Sequence, residues 1–125
     1  MSNCVILVDN SQALDFYNQA NFAALLATLA NNQKILKAFF IDKTTVVTEA
    51  VVQIAEIICT QETSGILTIV SEDQDFLPLV QLAHRHRWLV EMCTFSNAYN
   101  PHGEMALIVD RIRALDAYLD EISAT

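Results

Sequence analysis

The sequence predicts an α/β fold: a parallel sheet of about four strands in the order 2-1-3-4, held between helices as three α/β/α layers. Three observations carry this prediction. Short apolar runs of strand length alternate with longer segments whose apolar residues recur at helical spacing, the pattern of a parallel sheet with crossover helices. The clearest run, Ile66 to Val70, is unbroken and largely β-branched, as in a strand buried on both faces. The first and third runs each end in acids, and those two strands must be neighbours if the acids form one site.

Taken in order, Cys4 to Val8 is the first strand, followed at once by Asp9-Asn10-Ser11. Ser11 is placed to cap a helix whose apolar residues are Ala13, Leu14, Tyr17, Phe22, Leu25, Leu26 and Leu29, with Asn31-Asn32 as its end. Ile35 to Ile41 is the second strand and runs into Asp42-Lys43. Thr44 or Thr45 caps the next helix, whose stripe is Val47, Val51, Ile54 and Ile58, widened by Ala50 and Ile57. Ser64-Gly65 ends it and leads into the third strand. A helix from Asp75 carries Phe76, Leu79, Val80 and Ala83, and Trp88 to Phe95 is the fourth strand. After the loop from Ser96 to Gly103, a last helix is expected to carry Met105, Ile108, Ile112, Leu115, Leu119 and Ile122.

Composition bounds the function. The 125 residues make one domain, 1–125, large enough for a real core. With 53% apolar residues in so short a chain, a homodimer or larger assembly is expected to cover part of the surface. No apolar run approaches the ~20 residues of a membrane span, and no secretory leader is expected. Cys4, Cys59 and Cys93 lie scattered in apolar segments, so they read as buried free thiols in a reducing, cytoplasmic setting. None forms a Cys-x-x-Cys pair, which gives zinc no support. The net charge of −8 argues against broad phosphate binding, so a nucleic-acid role has to work through a metal or a local basic patch. Neither G-x-G-x-x-G nor Walker A is present, which argues against a dinucleotide cofactor and a P-loop.

In a parallel sheet every strand's carboxyl end lies on one edge, where ligands bind. Asp9, Asp42, Asp73 and Asp75 therefore share a rim, and Asp110, two turns or so into the last helix, leans toward it on this reading. His84-Arg85-His86-Arg87 falls on the opposite edge, where cations complement a helix C-terminus. Lys43, Tyr99, Asn100 and His102 are on the side suited to substrate. For Asp75 and Asp73 there are simpler roles as well: a helix cap and a turn residue.

Two stretches resemble the NYN domain family, a branch of the PIN-like metal-dependent ribonucleases. Val5-Ile6-Leu7-Val8-Asp9-Asn10-Ser11 is similar to the family's hydrophobic strand followed by Asp-Asn/Gly-x-Asn. Ser71-Glu72-Asp73-Gln74-Asp75-Phe76-Leu77-Pro78-Leu79 is close to its Ser-Gly-Asp-x-Asp-Phe-x-Pro-Leu, and is the more specific of the two. Val109-Asp110 looks like the late Ala-Asp of the last helix. The resemblance spans nearly the whole chain. It implies a Mg²⁺ or Mn²⁺ site that hydrolyses RNA phosphodiesters, with Asp9, Asp73, Asp75 and Asp110 as metal residues. Asp9 and Asp73 hold the metal directly; Asp75 either ligates through water or caps the helix. Asn10, Gln12, Ser71 and Lys43 are the residues it sets against water, phosphate or substrate.

The departures are specific. Gln12 stands where the family has Asn, and Glu72 replaces a glycine. Where the family places Asp after the lysine, Lys43 is followed by Thr44-Thr45-Val46-Val47-Thr48-Glu49. Glu49 or Thr48 takes the equivalent place, and one residue of displacement on a helix turns a side chain by about 100°. These changes support an alternative, a retired nuclease fold serving as a binding or oligomerisation module. A phosphoacceptor receiver domain ranks last, because Cys93-Thr94-Phe95-Ser96-Asn97 lacks the lysine it needs after the final strand.

Overall fold

The computed structural model describes residues 2–9, 21–41, 47–71, 73–94 and 102–118. Five strands, β1 (Asn3–Asp9), β2 (Lys34–Ile41), β3 (Ile66–Val70), β4 (Leu89–Thr94) and β5 (Arg111–Ala114), form one sheet in the order β2-β1-β3-β4-β5. Every pairing is parallel. The described helices are α1 (Phe22–Ala30), α2 (Val47–Thr60), α3 (Leu77–Arg85) and the short α4 (Glu104–Ile108). The predicted α/β/α class and the 2-1-3-4 order are what the fold shows, with a fifth strand added at the β4 edge.

Successive side chains of a strand face opposite sides, and β1 fills two cores in that way. Val5 and Leu7 pack with Ile54 and Ile58 of α2, Leu79, Val80 and Ala83 of α3, and Met105 of α4. Cys4, Ile6 and Val8 pack with Leu25, Leu29 and Ala30 of α1 and with Leu115. Cys4 to Val8 and Leu67 to Val70 are buried without a break, so the continuous apolar runs reflect helices on both faces. Gly65 precedes β3 for a steric reason: a Cβ there would lie 2.3 Å from the Asn3 carbonyl oxygen of β1.

One buried polar cluster lies on the α1 side. Glu91 of β4 is 2% exposed and is met by Arg113 Nη2 at 2.6 Å and by Arg111 Nε, both from β5. Arg113 also donates to the Thr28 and Leu29 carbonyls, at 2.7 and 2.9 Å, tying the sheet to the last turn of α1. Beside them, burial and then the Glu91 carboxylate push the Cys93 thiol up to about 12, against the opposing pull of Arg113.

Several expectations are corrected. The last helix stops at Ile108, and Val109 is already extended at φ −71° and ψ 154°. Arg111-Ile112-Arg113-Ala114 alternates with period two, and as a strand it pairs with β4 and brings both arginines to Glu91. The single helix expected from Ser11 is not continuous: Asn21, extended at φ −84° and ψ 106°, caps a separate α1 by accepting from the Ala24 N–H. Residues 10–20, Leu119 and Ile122, and the expected Thr44 or Thr45 cap lie outside the described residues. Val47 belongs to the exposed surface rather than the buried stripe of α2. Cys4 and Cys93 are buried, but Cys59, in the last turn of α2, is exposed. Among the described residues no helix is long and apolar enough to cross a membrane.

Candidate functional site

Register brings the site together. In the β1–β3 pairing Val8 stands opposite Val70, so the next residues, Asp9 and Ser71, leave the two strands side by side at the carboxyl edge. The Ser71 hydroxyl donates to Asp9 Oδ2 at 3.0 Å. The same Ser71 Oγ accepts the Asp73 backbone N–H at 3.0 Å, and Asp73 Oδ1 accepts the Asp75 N–H at 2.9 Å. Two successive turns closed by a side chain onto the backbone two residues ahead thus carry the chain from β3 into a 3₁₀ turn at Gln74–Phe76 and on into α3.

The cap role falls to Asp73 rather than Asp75. Asp73 sits extended before the 3₁₀ turn and its side chain takes the first free N–H. Asp75 is exposed within that turn, and α3 begins without a side-chain cap, with Pro78 in its first turn. Capping occupies only one oxygen of Asp73: Oδ2 takes no hydrogen bond from the described residues. Asp9, Ser71 and Asp73 are each partly buried, so the acid pair is sheltered but reachable from solvent.

Asp110 does not join this rim. Because β5 runs parallel to β4, the residue just before it lies at the amino edge of the sheet, and the Asp110 N–H donates to the Val90 carbonyl. Its Oδ2 accepts the Val90 N–H and contacts His84 Nε2, each at 2.7 Å. Burial opposes ionisation of Asp110, but the Val90 N–H and the His84 ring outweigh it and hold the carboxyl below its ordinary range. The expectation that Asp110 is a metal residue fails on this placement: it clamps the end of α3 to the start of β4. Asn10, Gln12, Lys43, Tyr99 and Asn100 lie outside the described residues.

The donor set can be tested against the implied ion. Asp9, at the end of β1, and Asp73, three residues beyond β3, each offer a carboxylate at the carboxyl edge, and Ser71 Oγ links the Asp9 carboxylate to the Asp73 backbone N–H. Among the described residues no group of three or more histidine, cysteine, aspartate or glutamate side chains is gathered as a metal cage, so neither Asp75 nor Glu49 makes a third. Mg²⁺ and Mn²⁺ prefer oxygen, and Mg²⁺ is usually bound through one or two carboxylates while keeping several waters. Carboxylate oxygens are the donor type such a hydrated ion takes. The pair does not amount to a preformed cage for a softer or fully dehydrated one.

Sequence reasoning missed the Ser71 bridge, the use of Asp73 as a cap, and the pairing of Cys59 with His86. The signal for the first two was present. Ser71-x-Asp73-x-Asp75 repeats, at a spacing of two, the residue types that close side-chain turns. No signal announced the third, since Cys59 and His86 belong to different helices. Compared with known proteins, the chain matches no protein-family model, no curated protein and no solved structure.

Proposed function

We propose that this protein is a divalent-metal-dependent ribonuclease of the NYN type, acting at the Asp9–Asp73 pair. The observation that carries the reading is the hydrogen bond from Ser71 to Asp9, which ties the acid turn after β3 to the acid end of β1. Asp9 and Asp73 would hold a Mg²⁺ or Mn²⁺ ion. Bound there, such an ion supplies an activated water and charge neutralisation for attack on a phosphodiester. The chain's own residues set the stage for this. Ser71 fixes one oxygen of Asp9, the Asp75 N–H fixes one oxygen of Asp73, and Asp73 Oδ2, which takes no hydrogen bond from the described residues, can engage the ion or its water shell. An ion also answers the charge problem of RNA approaching a chain of net charge −8. A cytoplasmic setting belongs to the same reading, resting on the free thiols.

The test is cleavage of single-stranded RNA by purified protein with Mn²⁺ or Mg²⁺, stopped by chelator and removed in Asp73→Asn and Asp9→Asn. Cleavage that survives both chelator and substitution is contamination. No cleavage with either metal favours the second reading, a retired nuclease fold that binds without hydrolysis. One observation speaks for that reading: the rim gathers two carboxylates without a third among the described residues.

A further inference from the structure

The amino edge of the sheet, opposite the acid pair, holds a second group of metal-ligating side chains. Cys59 ends its helix with the thiol exposed, and its Sγ lies 3.6 Å from Nε2 of His86, the residue that caps the C-terminus of α3. Helices α2 and α3 pack side by side on the same core, and this fixes the pair on a rigid platform. The separation matches zinc. A tetrahedral ion with Zn–S of about 2.3 Å and Zn–N of about 2.0–2.1 Å sets its sulfur and nitrogen about 3.5–3.6 Å apart. Both side chains are exposed, and the ion would take the place of a single proton between them.

Two ligands leave the site half built. Structural zinc is four-coordinate and catalytic zinc keeps three protein ligands. Among the described residues no third histidine, cysteine, aspartate or glutamate completes the group. A second copy of the chain offers the same Cys–His pair, and a two-fold axis through the ion would give a Cys₂His₂ tetrahedron of self-complementary form. Meeting at this edge keeps the acid pairs of the two copies apart. The chain carries −8 overall, and its acid pair lies at the far ends of the strands. Exposed Arg85 and Arg87 flank His86, and the two thiolates that zinc requires cancel the ion's own two positive charges, so the Cys₂His₂ site adds no net charge between the copies.

We propose that Cys59 and His86 form a zinc half-site, completed by the same two residues of a second copy, so that zinc joins two chains through their amino edges. The proposal is independent of the nuclease reading, whose residues lie on the opposite edge.

The test uses the full chain, stripped with chelator and then given Zn²⁺, or Co²⁺ as a spectroscopic stand-in. Sedimentation should show a monomer in chelator and twice that mass with zinc, at one zinc for two chains. Co²⁺ should produce a thiolate-to-metal absorption band. Cys4 and Cys93 are buried, which leaves Cys59 as the source of that band. Cys59→Ser and His86→Ala should each abolish the mass change and the band, while unfolding in chelator like the parent. The proposal is overturned by any of four results: a dimer that persists in chelator, no mass change with zinc, a monomer binding one zinc per chain, or a band that survives Cys59→Ser.

Discussion

Asp73 holds two jobs that can be separated by substitution. Its Oδ1 caps the turn into α3 through the Asp75 N–H at 2.9 Å, and its backbone N–H meets the Ser71 hydroxyl that donates to Asp9, which sets its charge on the same rim as Asp9. Asp73→Ala removes both cap and charge; Asp73→Asn keeps a good cap and removes only the charge. Loss of an N-cap costs ~1 kcal/mol, which in a chain of this length lowers Tm by about 3–6 °C. Repulsion between two unit charges on one solvent-reachable rim is at most on the order of 1 kcal/mol in a water-like medium. Without metal, Asp73→Asn should therefore melt a few degrees above the parent, and Asp73→Ala should melt below Asp73→Asn by the value of the cap. With Mn²⁺ at 100 times its Kd, mass action stabilises the parent by about 2.7 kcal/mol, on the order of 10 °C. Both variants should lose most of that response. The assay is thermal unfolding in chelator and across a Mn²⁺ titration. If Asp73→Asn melts below the parent and all three proteins respond alike to Mn²⁺, Asp73 is a turn residue only and the metal reading fails.

Two further outcomes test the frame around the site. Arg113→Met leaves buried Glu91 with Arg111 alone and should cost about 3–5 kcal/mol, while Glu91→Leu/Arg113→Met should cost well under the sum of the two single changes; urea midpoints that add would refute coupling of the pair. Asp110 has its carboxyl held below the ordinary range, so its stabilisation is present above the unfolded-state carboxylate pKa and is lost as pH falls through the folded-state value. The Tm deficit of Asp110→Asn should accordingly be largest near neutral pH and shrink in acid, and a deficit unchanged with pH would refute the charged clasp.

The central strands were legible because burial on both faces leaves an unbroken apolar run, and nothing else of that length competes with it. Their order was legible from chemistry, since the acids that end β1 and β3 are neighbours only if the strands are. The chain after Gly103 was not. Met105, Ile108, Ile112 and Leu115 fit a helical stripe, and that long pattern outweighed the four-residue alternation of Arg111 to Ala114. What decides between the two is tertiary: β4 pairs with Arg111–Ala114, and buried Glu91 takes both of its guanidinium partners from that strand. That a glutamate, Glu91, sits buried on β4 is likewise invisible in a sequence, whereas Thr68 falls inside the run read as buried on both faces and is buried. Asp110 went to the wrong edge as a consequence, because replacing a helix by a strand reverses where its first residues lie.

The acid turn after β3 separates a structural reading from a functional one. A turn that only had to lead into α3 is complete once Ser71 Oγ takes the Asp73 N–H and Asp73 Oδ1 takes the Asp75 N–H. Both bonds use side-chain oxygens as acceptors. The Ser71 hydroxyl proton is then left over, and any water would satisfy it at this partly buried position. It goes instead to Asp9, the last residue of the adjacent strand. That bond fixes the Asp9 carboxylate at the start of the acid turn, and among the described residues Asp73 Oδ2 takes no hydrogen bond, an arrangement the turn itself does not require. On the proposed reading, carboxylates anchored on one edge are the oxygen donors that a hydrated divalent ion takes.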